Sequence, residues 1–126
     1  MRQPLIPGAP IVVRIRVAGP KGLREIDAVL DTGSAYVSIS RKDATDLGYH
    51  LESSPSVKVL AATGTTRAPK ILLRRVSLGE LDAVDVPAVC LDLPAGLKSA
   101  LVGMNLISRF NVALDATHRE LRISAP

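Results

Sequence analysis

The sequence predicts an all-β domain with one or two short helices. Three observations carry that prediction. Valine, leucine and isoleucine recur in short runs, many of them alternating with polar residues as half-buried strands do. Clusters of glycine, proline and aspartate punctuate those runs like turns. The core must be aliphatic, because the aromatic residues are only Tyr36, Tyr49 and Phe110 and there is no tryptophan. The 126 residues fit one domain, and a hydrophobic content of 47% suffices for its core.

Taken in order, Met1 to Pro10 reads as a flexible N-terminal arm, because Pro4, Pro7, Gly8 and Pro10 interrupt it. The folded domain is predicted over residues 11–126. Ile11 to Val17 alternates, with Ile11, Val13, Ile15 and Val17 on one face and Arg14 and Arg16 on the other. Ala18 to Gly22 turns the chain, and Leu23 to Leu30 returns as the second strand of a hairpin. Ser40 is placed to cap a short helix over residues 41–47, with Asp43 reaching back as in a capping box and Gly48 ending it in a left-handed conformation. Ala44 and Leu47 are its core-facing residues.

Residues 57–62 and 67–76 predict a hairpin with Thr63-Gly64-Thr65-Thr66 at its tip and an interruption at Pro69. Leu81 to Leu91 predicts one or two strands, broken near Asp85 and Pro87. Leu93 to Lys98 reads as a loop. Ala100 to Val102 is apolar, and Met104 to Arg109 suits a helix. Phe110 to Leu114 and Leu121 to Ile123 close as a hairpin through a turn at Asp115. The ends of the chain show no evident pair of apolar strands.

Charge and composition exclude several function classes. The net charge is +4, but the basic residues occur in small groups such as Arg14 with Arg16 and Arg74 with Arg75, as solvated strand and loop positions do. A nucleic-acid surface needs stacking aromatics or a recognition helix beside the charge, so no nucleic-acid partner is expected. Cys90 is the single cysteine, which excludes an intramolecular disulfide and fits a reducing, cytoplasmic compartment. One cysteine and two isolated histidines, His50 and His118, do not make a metal-ligand cluster, so neither a metal nor any other cofactor is expected. No apolar run reaches the roughly 18–20 residues that span a bilayer. No secretory leader is predicted, and membrane attachment would need a flanking anchor outside this chain.

The most informative stretch is Ala28 to Ser40. Apolar Ala28-Val29-Leu30 delivers one carboxylate, Asp31, and the β-prone run from Tyr36 to Ile39 carries the chain away. A carboxylate between two buried runs is costly unless hydrogen-bond donors surround it. Thr32, Gly33 and Ser34 supply hydroxyls and closely spaced backbone N–H groups. The same four residues would also suit an ordinary β-turn between two strands with a solvated Asp31.

Leu30-Asp31-Thr32-Gly33-Ser34 resembles the active-site loop of the aspartic peptidases, and Leu101-Val102-Gly103 resembles the apolar-apolar-Gly motif of their single-lobed, retropepsin-like members. The resemblance covers roughly Ile11 to Ile123. It implies a small closed β-barrel of the retropepsin type. It implies Asp31, Thr32 and Gly33 as catalytic residues. Ser34, Ala35, Ala62, Thr63, Gly64 and Thr65 would bind substrate, the last four from a flap at the hairpin tip. The strand bearing Gly103 would support the catalytic loop.

The family's chemistry places one water between two carboxylates that share a proton. This chain has one Asp-Thr-Gly, since Asp46, Asp92 and Asp115 do not repeat it. The second carboxylate must then come from a second copy, which implies a homodimer through the Asp31-Thr32-Gly33 loops and an extended polypeptide as substrate. Ser34 stands where viral relatives commonly have alanine, and a hydroxyl donated to Asp31 would favour the ionised carboxylate. The alternative is a non-catalytic member of the same fold that acts as a dimerisation or peptide-binding module.

Overall fold

Alternation in the sequence becomes a barrel wall. The computed structural model describes residues 1–61, 64–94 and 100–126. Strand β2 (Val12–Gly19) buries Val13, Ile15 and Val17 completely while Arg14 and Arg16 stay exposed. It turns through Pro20 and Lys21 into β3 (Gly22–Leu30), with Gly19 opposite Gly22. The remaining elements are β4 (Val37–Ile39), α1 (Arg41–Asp46), β5 (Ser56–Ala61), β6 (Gly64–Leu78), β7 (Leu81–Cys90), β8 (Ala100–Val102), α2 (Met104–Ile107), β9 (Asn111–Asp115) and β10 (Glu120–Ser124), after a short β1 (Arg2–Pro4).

Among the described residues, strands pair in the order β2-β3-β8-β4-β7-β6, and β6 pairs again with β2, closing a six-stranded barrel. β5 extends beyond it as the outer arm of a hairpin with β6. The core is aliphatic, as expected: Ile15, Ile39, Leu73, Leu78, Leu106, Leu121 and Ile123 are among its fully buried side chains. Burying one such side chain contributes roughly 1.5–3 kcal/mol. Among the described residues, no helix is long and apolar enough to cross a membrane.

Helix α1 forms where its cap predicts. Ser40 Oγ accepts the Asp43 N–H at 3.0 Å, Ala44 and Leu47 are buried, and Gly48 adopts φ +94°. The Asp43 carboxylate does not complete a capping box. It accepts from Arg24 on β3 at 2.7 Å, and Arg24 also reaches Asp46 at 3.1 Å, so the helix is tied to the barrel instead.

Five expectations need correction. The first ten residues are not an irregular arm throughout. Residues 2–4 pair with β10, Gln3 Nε2 donates to the Val12 carbonyl at 2.8 Å, and Leu5 N–H donates to the Arg119 carbonyl at 2.8 Å. Pro4 is compatible because β1 is an edge strand, where a missing N–H is tolerated. The chain ends therefore do supply strands: β1, β10 and β9 form a three-stranded sheet within one protomer.

β6 is not interrupted at Pro69. Pairing with β5 ends at Pro69 and pairing with β7 starts at Lys70, so the proline sits at the handover between partners. β7 is likewise one strand. Its irregularity at Asp85 (φ +53°) lies between the Arg75–Val84 and Leu73–Val86 pairs. The freed groups find other partners. Arg74 N–H donates to Tyr49 Oη at 2.9 Å, and the Arg109 guanidinium donates to the Val84 and Asp85 carbonyls at 2.6 and 3.0 Å. Helix α2 is also shorter than predicted, ending at Ile107.

Candidate active site

The two informative stretches of the sequence lie side by side. β3 and β8 run parallel, with Ala28 beside Ala100, Val29 beside Leu101 and Leu30 beside Val102. Asp31 N–H extends this ladder by donating to the Val102 carbonyl at 2.9 Å. The chain then leaves the wall as a loop. Gly33 N–H donates to Asp31 Oδ1 at 2.9 Å, and Ser34 N–H donates to the Asp31 carbonyl at 3.3 Å. The loop is thus folded around its own carboxylate. Asp31 and Ser34 are half-buried, while Thr32, Gly33 and Ala35 are exposed.

Helix α2 fixes the loop from behind. The Met104 and Asn105 N–H groups donate to the Ser34 and Ala35 carbonyls at 2.7 and 3.0 Å. The first N–H groups of a helix lack partners inside it, so they are available for this role. Gly103 makes the approach feasible. A Cβ at that position would lie 2.3 Å from the Tyr36 carbonyl oxygen and 2.8 Å from that of Ser34, distances that no side chain tolerates.

Asn105 braces this loop and was not singled out from the sequence. Its Oδ1 accepts the Val37 N–H at 2.9 Å, and its Nδ2 donates to the Pro87 carbonyl at 2.6 Å. One side chain therefore joins the loop exit to β7. The available signal was a lone amide in the apolar run Met104-Asn105-Leu106-Ile107. Tyr36 was also passed over. Lys70 Nζ lies over its ring, 5.0 Å from the centroid, and links β6 to the loop exit.

The predicted residues sort into two groups. Asp31, Thr32, Gly33, Ser34 and Ala35 share the one loop. Gly64 and Thr65 are exposed at the start of β6, opposite Ala61 and Leu60 on β5. Among the described residues, no hydrogen bond joins that hairpin to the Asp31 loop. Ala62 and Thr63, predicted for the hairpin tip, lie outside the described residues, as do residues 95–99 of the predicted 93–98 loop and its flank.

One expected contact is replaced. Ser34 Oγ donates to the Tyr36 carbonyl at 3.2 Å, and the group bonded to Asp31 Oδ1 is the Gly33 N–H. Cys90 is fully buried, and burial pushes its thiol up to about 11, so it is a packing residue and not a nucleophile. Among the described residues, no cluster of three His, Cys, Asp or Glu side chains is placed to hold a metal ion.

A half-buried carboxylate that accepts one backbone N–H, on a loop braced by a helix N-terminus, can polarise a water or bond a polar ligand. The profile of the aspartyl protease family matches residues 13–106, which include both loop and brace. No curated protein matches the chain. Among solved structures, the chain resembles the crystal structure of a retropepsin-like aspartic protease from Rickettsia conorii. The identity is 22% and the TM-score 0.74, over 98% of this chain and 88% of that one. The likeness is one of fold.

Proposed function

The chain belongs to the aspartyl protease family, and we propose on that premise that it is a homodimeric aspartic endopeptidase. Its reaction is the hydrolysis of peptide bonds in extended polypeptides. The observation that carries this reading is the Asp31 loop. One carboxylate per chain is held by the Gly33 N–H and braced through Ser34 and Ala35, with Thr32 and Gly33 left facing outward. A binding module has no need of a carboxylate fixed this firmly, whereas a general base does.

Two copies related by a two-fold axis would bring Asp31 to Asp31, with Thr32 of each copy against the loop of the other. Two carboxylates that close cannot both ionise, so one keeps a proton. The ionised member takes a proton from a water held between them. The water oxygen attacks the scissile carbonyl carbon, and the protonated member gives its proton to the carbonyl oxygen. Breakdown of the resulting diol returns a proton to the leaving amine and restores the pair. The chain ends are paired within the protomer, so this reading assigns the dimer contact to the loops.

The test combines sedimentation of the purified chain with cleavage of a peptide library at acid and neutral pH. Cleavage by a dimer, abolished in Asp31→Asn, supports the reading. Cleavage that survives Asp31→Asn removes it.

A further inference from the structure

Cross-strand partners in a sheet share a face. One such row crosses five strands of this barrel: Val29 on β3, Leu101 on β8, Ser38 on β4, Val89 on β7 and Lys70 on β6. The neighbouring row, Ala28, Ala100, Ile39 and Cys90, is completely buried and belongs to the core. The first row therefore lies on the opposite face of the wall, where Ser38 and Val89 are also buried and Val29, Leu101 and Lys70 are half-buried. Asp31 stands two residues beyond Val29, and Tyr36 two residues before Ser38. Both lie just outside the strands, on the loop that joins β3 to β4, at the end of the wall where that loop emerges.

The row changes character along its length. Next to Asp31 it holds Val29 and Leu101, and the buried Ser38 and Val89 follow. At its far end stands a cation, Lys70, whose ammonium lies 5.0 Å from the Tyr36 ring centroid. Among the described residues Lys70 forms no ion pair with a carboxylate. Tyr36 is 37% exposed, so the pair borders solvent. A cation over an aromatic face is held in place yet keeps its outward hemisphere for another ligand. β4 lies two strand spacings from β3, about 10 Å, and an extended peptide covers that distance in about three residues.

We propose that Lys70, held by Tyr36, is a specificity-determining residue that reads an acidic side chain of the bound polypeptide two or three positions from the scissile bond. This rests on the peptidase reading for the word scissile, but not for the binding preference itself. The substrate class is then a peptide with an apolar residue beside the cut and Asp or Glu beyond it. Lys70 acts by pairing with the acid, and Tyr36 positions the ammonium.

The test uses a randomised peptide library to locate the preferred positions, followed by synthetic pairs differing only in Glu against Gln at those positions. Both cleavage by the wild type and binding to Asp31→Asn, by fluorescence anisotropy, are measured. The proposal expects a Glu-over-Gln preference of about tenfold in kcat/KM or in Kd, within the range of a charge-assisted hydrogen bond. Lys70→Met brings that ratio to about one, and Lys70→Glu reverses it in favour of a Lys-containing peptide. Tyr36→Leu, which frees the ammonium, reduces the ratio while leaving its sign. Equal ratios in wild type and Lys70→Met overturn the proposal, as does the absence of binding by either peptide. Binding with the Lys70-dependent preference but without cleavage upholds it and removes the peptidase reading instead.

Discussion

Gly103 lies directly against the backbone of Tyr36: the nearest atom to a Cβ at Gly103 would be the Tyr36 carbonyl oxygen, at 2.3 Å. The clash would involve backbone, which cannot swing aside as a side chain does. Gly103→Ala must therefore separate α2 from the Asp31 loop. Overpacking of this kind costs about 1–3 kcal/mol. Urea unfolding should show that loss, and cleavage activity should fall by more than the stability change explains, because the Met104–Ser34 and Asn105–Ala35 hydrogen bonds lengthen.

Asn105 couples the loop exit to β7 through one amide. Asn105→Ala leaves the Val37 N–H and the Pro87 carbonyl without their partner. An orphaned, part-buried group costs about 1–3 kcal/mol. The expected result is a loss in that range per group and a kcat reduced at least tenfold, with a smaller change in KM. Asn105→Asp keeps the acceptor but aims a carboxylate at the Pro87 carbonyl, so it should rescue little. Denaturation curves and steady-state kinetics on the two variants check this.

The turn between β9 and β10 is pH-sensitive in a calculable direction. The Asp115 carboxylate accepts the His118 N–H at 3.0 Å, and His118 and Arg122 stand beside it. These contacts, the backbone donation first, hold its pKa below the ordinary range. A depressed carboxyl stabilises the fold above its unfolded value, about 3.9, and the contribution is lost as pH falls through the lower folded value. Wild type should therefore unfold at a higher temperature than Asp115→Asn at neutral pH, and the two should converge as pH falls below about 4. Melting curves across that range show whether they do.

Cys90 should behave as a concealed group. Its thiol is raised to about 11 by burial, so almost none is thiolate at neutral pH. A thiol reagent should label it at the rate of unfolding in the native protein and at once in denaturant. Because its folded pKa is raised, its contribution to stability is complete below the unfolded value and disappears as pH rises towards 11.

Much of this architecture was legible in the sequence because hydrophobic period and turn chemistry agreed. Val13, Ile15 and Val17 announced their shared face, and Ser40 and Gly48 bracketed α1 closely. The Asp31 loop was legible as a family motif, since Asp31, Thr32 and Gly33 are chemically specific together. What escaped was determined by partners distant in the chain. β1 exists because residues 120–122 offer it an edge, and local proline content could not show that. β6 continues through Pro69 because the strand changes partners there. Ser34 bonds the Tyr36 carbonyl two residues on, and Asp31 Oδ1 accepts the Gly33 N–H instead, a choice set by the backbone path of the loop. Asn105 was overlooked for the same reason: both its partners belong to other elements.

The central claim is that each active centre needs Asp31 from two chains. Wild-type protein is incubated with a ninefold excess of Asp31→Asn, long enough for subunits to exchange, and peptide cleavage is measured per wild-type chain. Random pairing leaves about one wild-type chain in ten with a wild-type partner, so activity should fall about tenfold. Activity that stays unchanged at every ratio of mutant to wild type would contradict the claim.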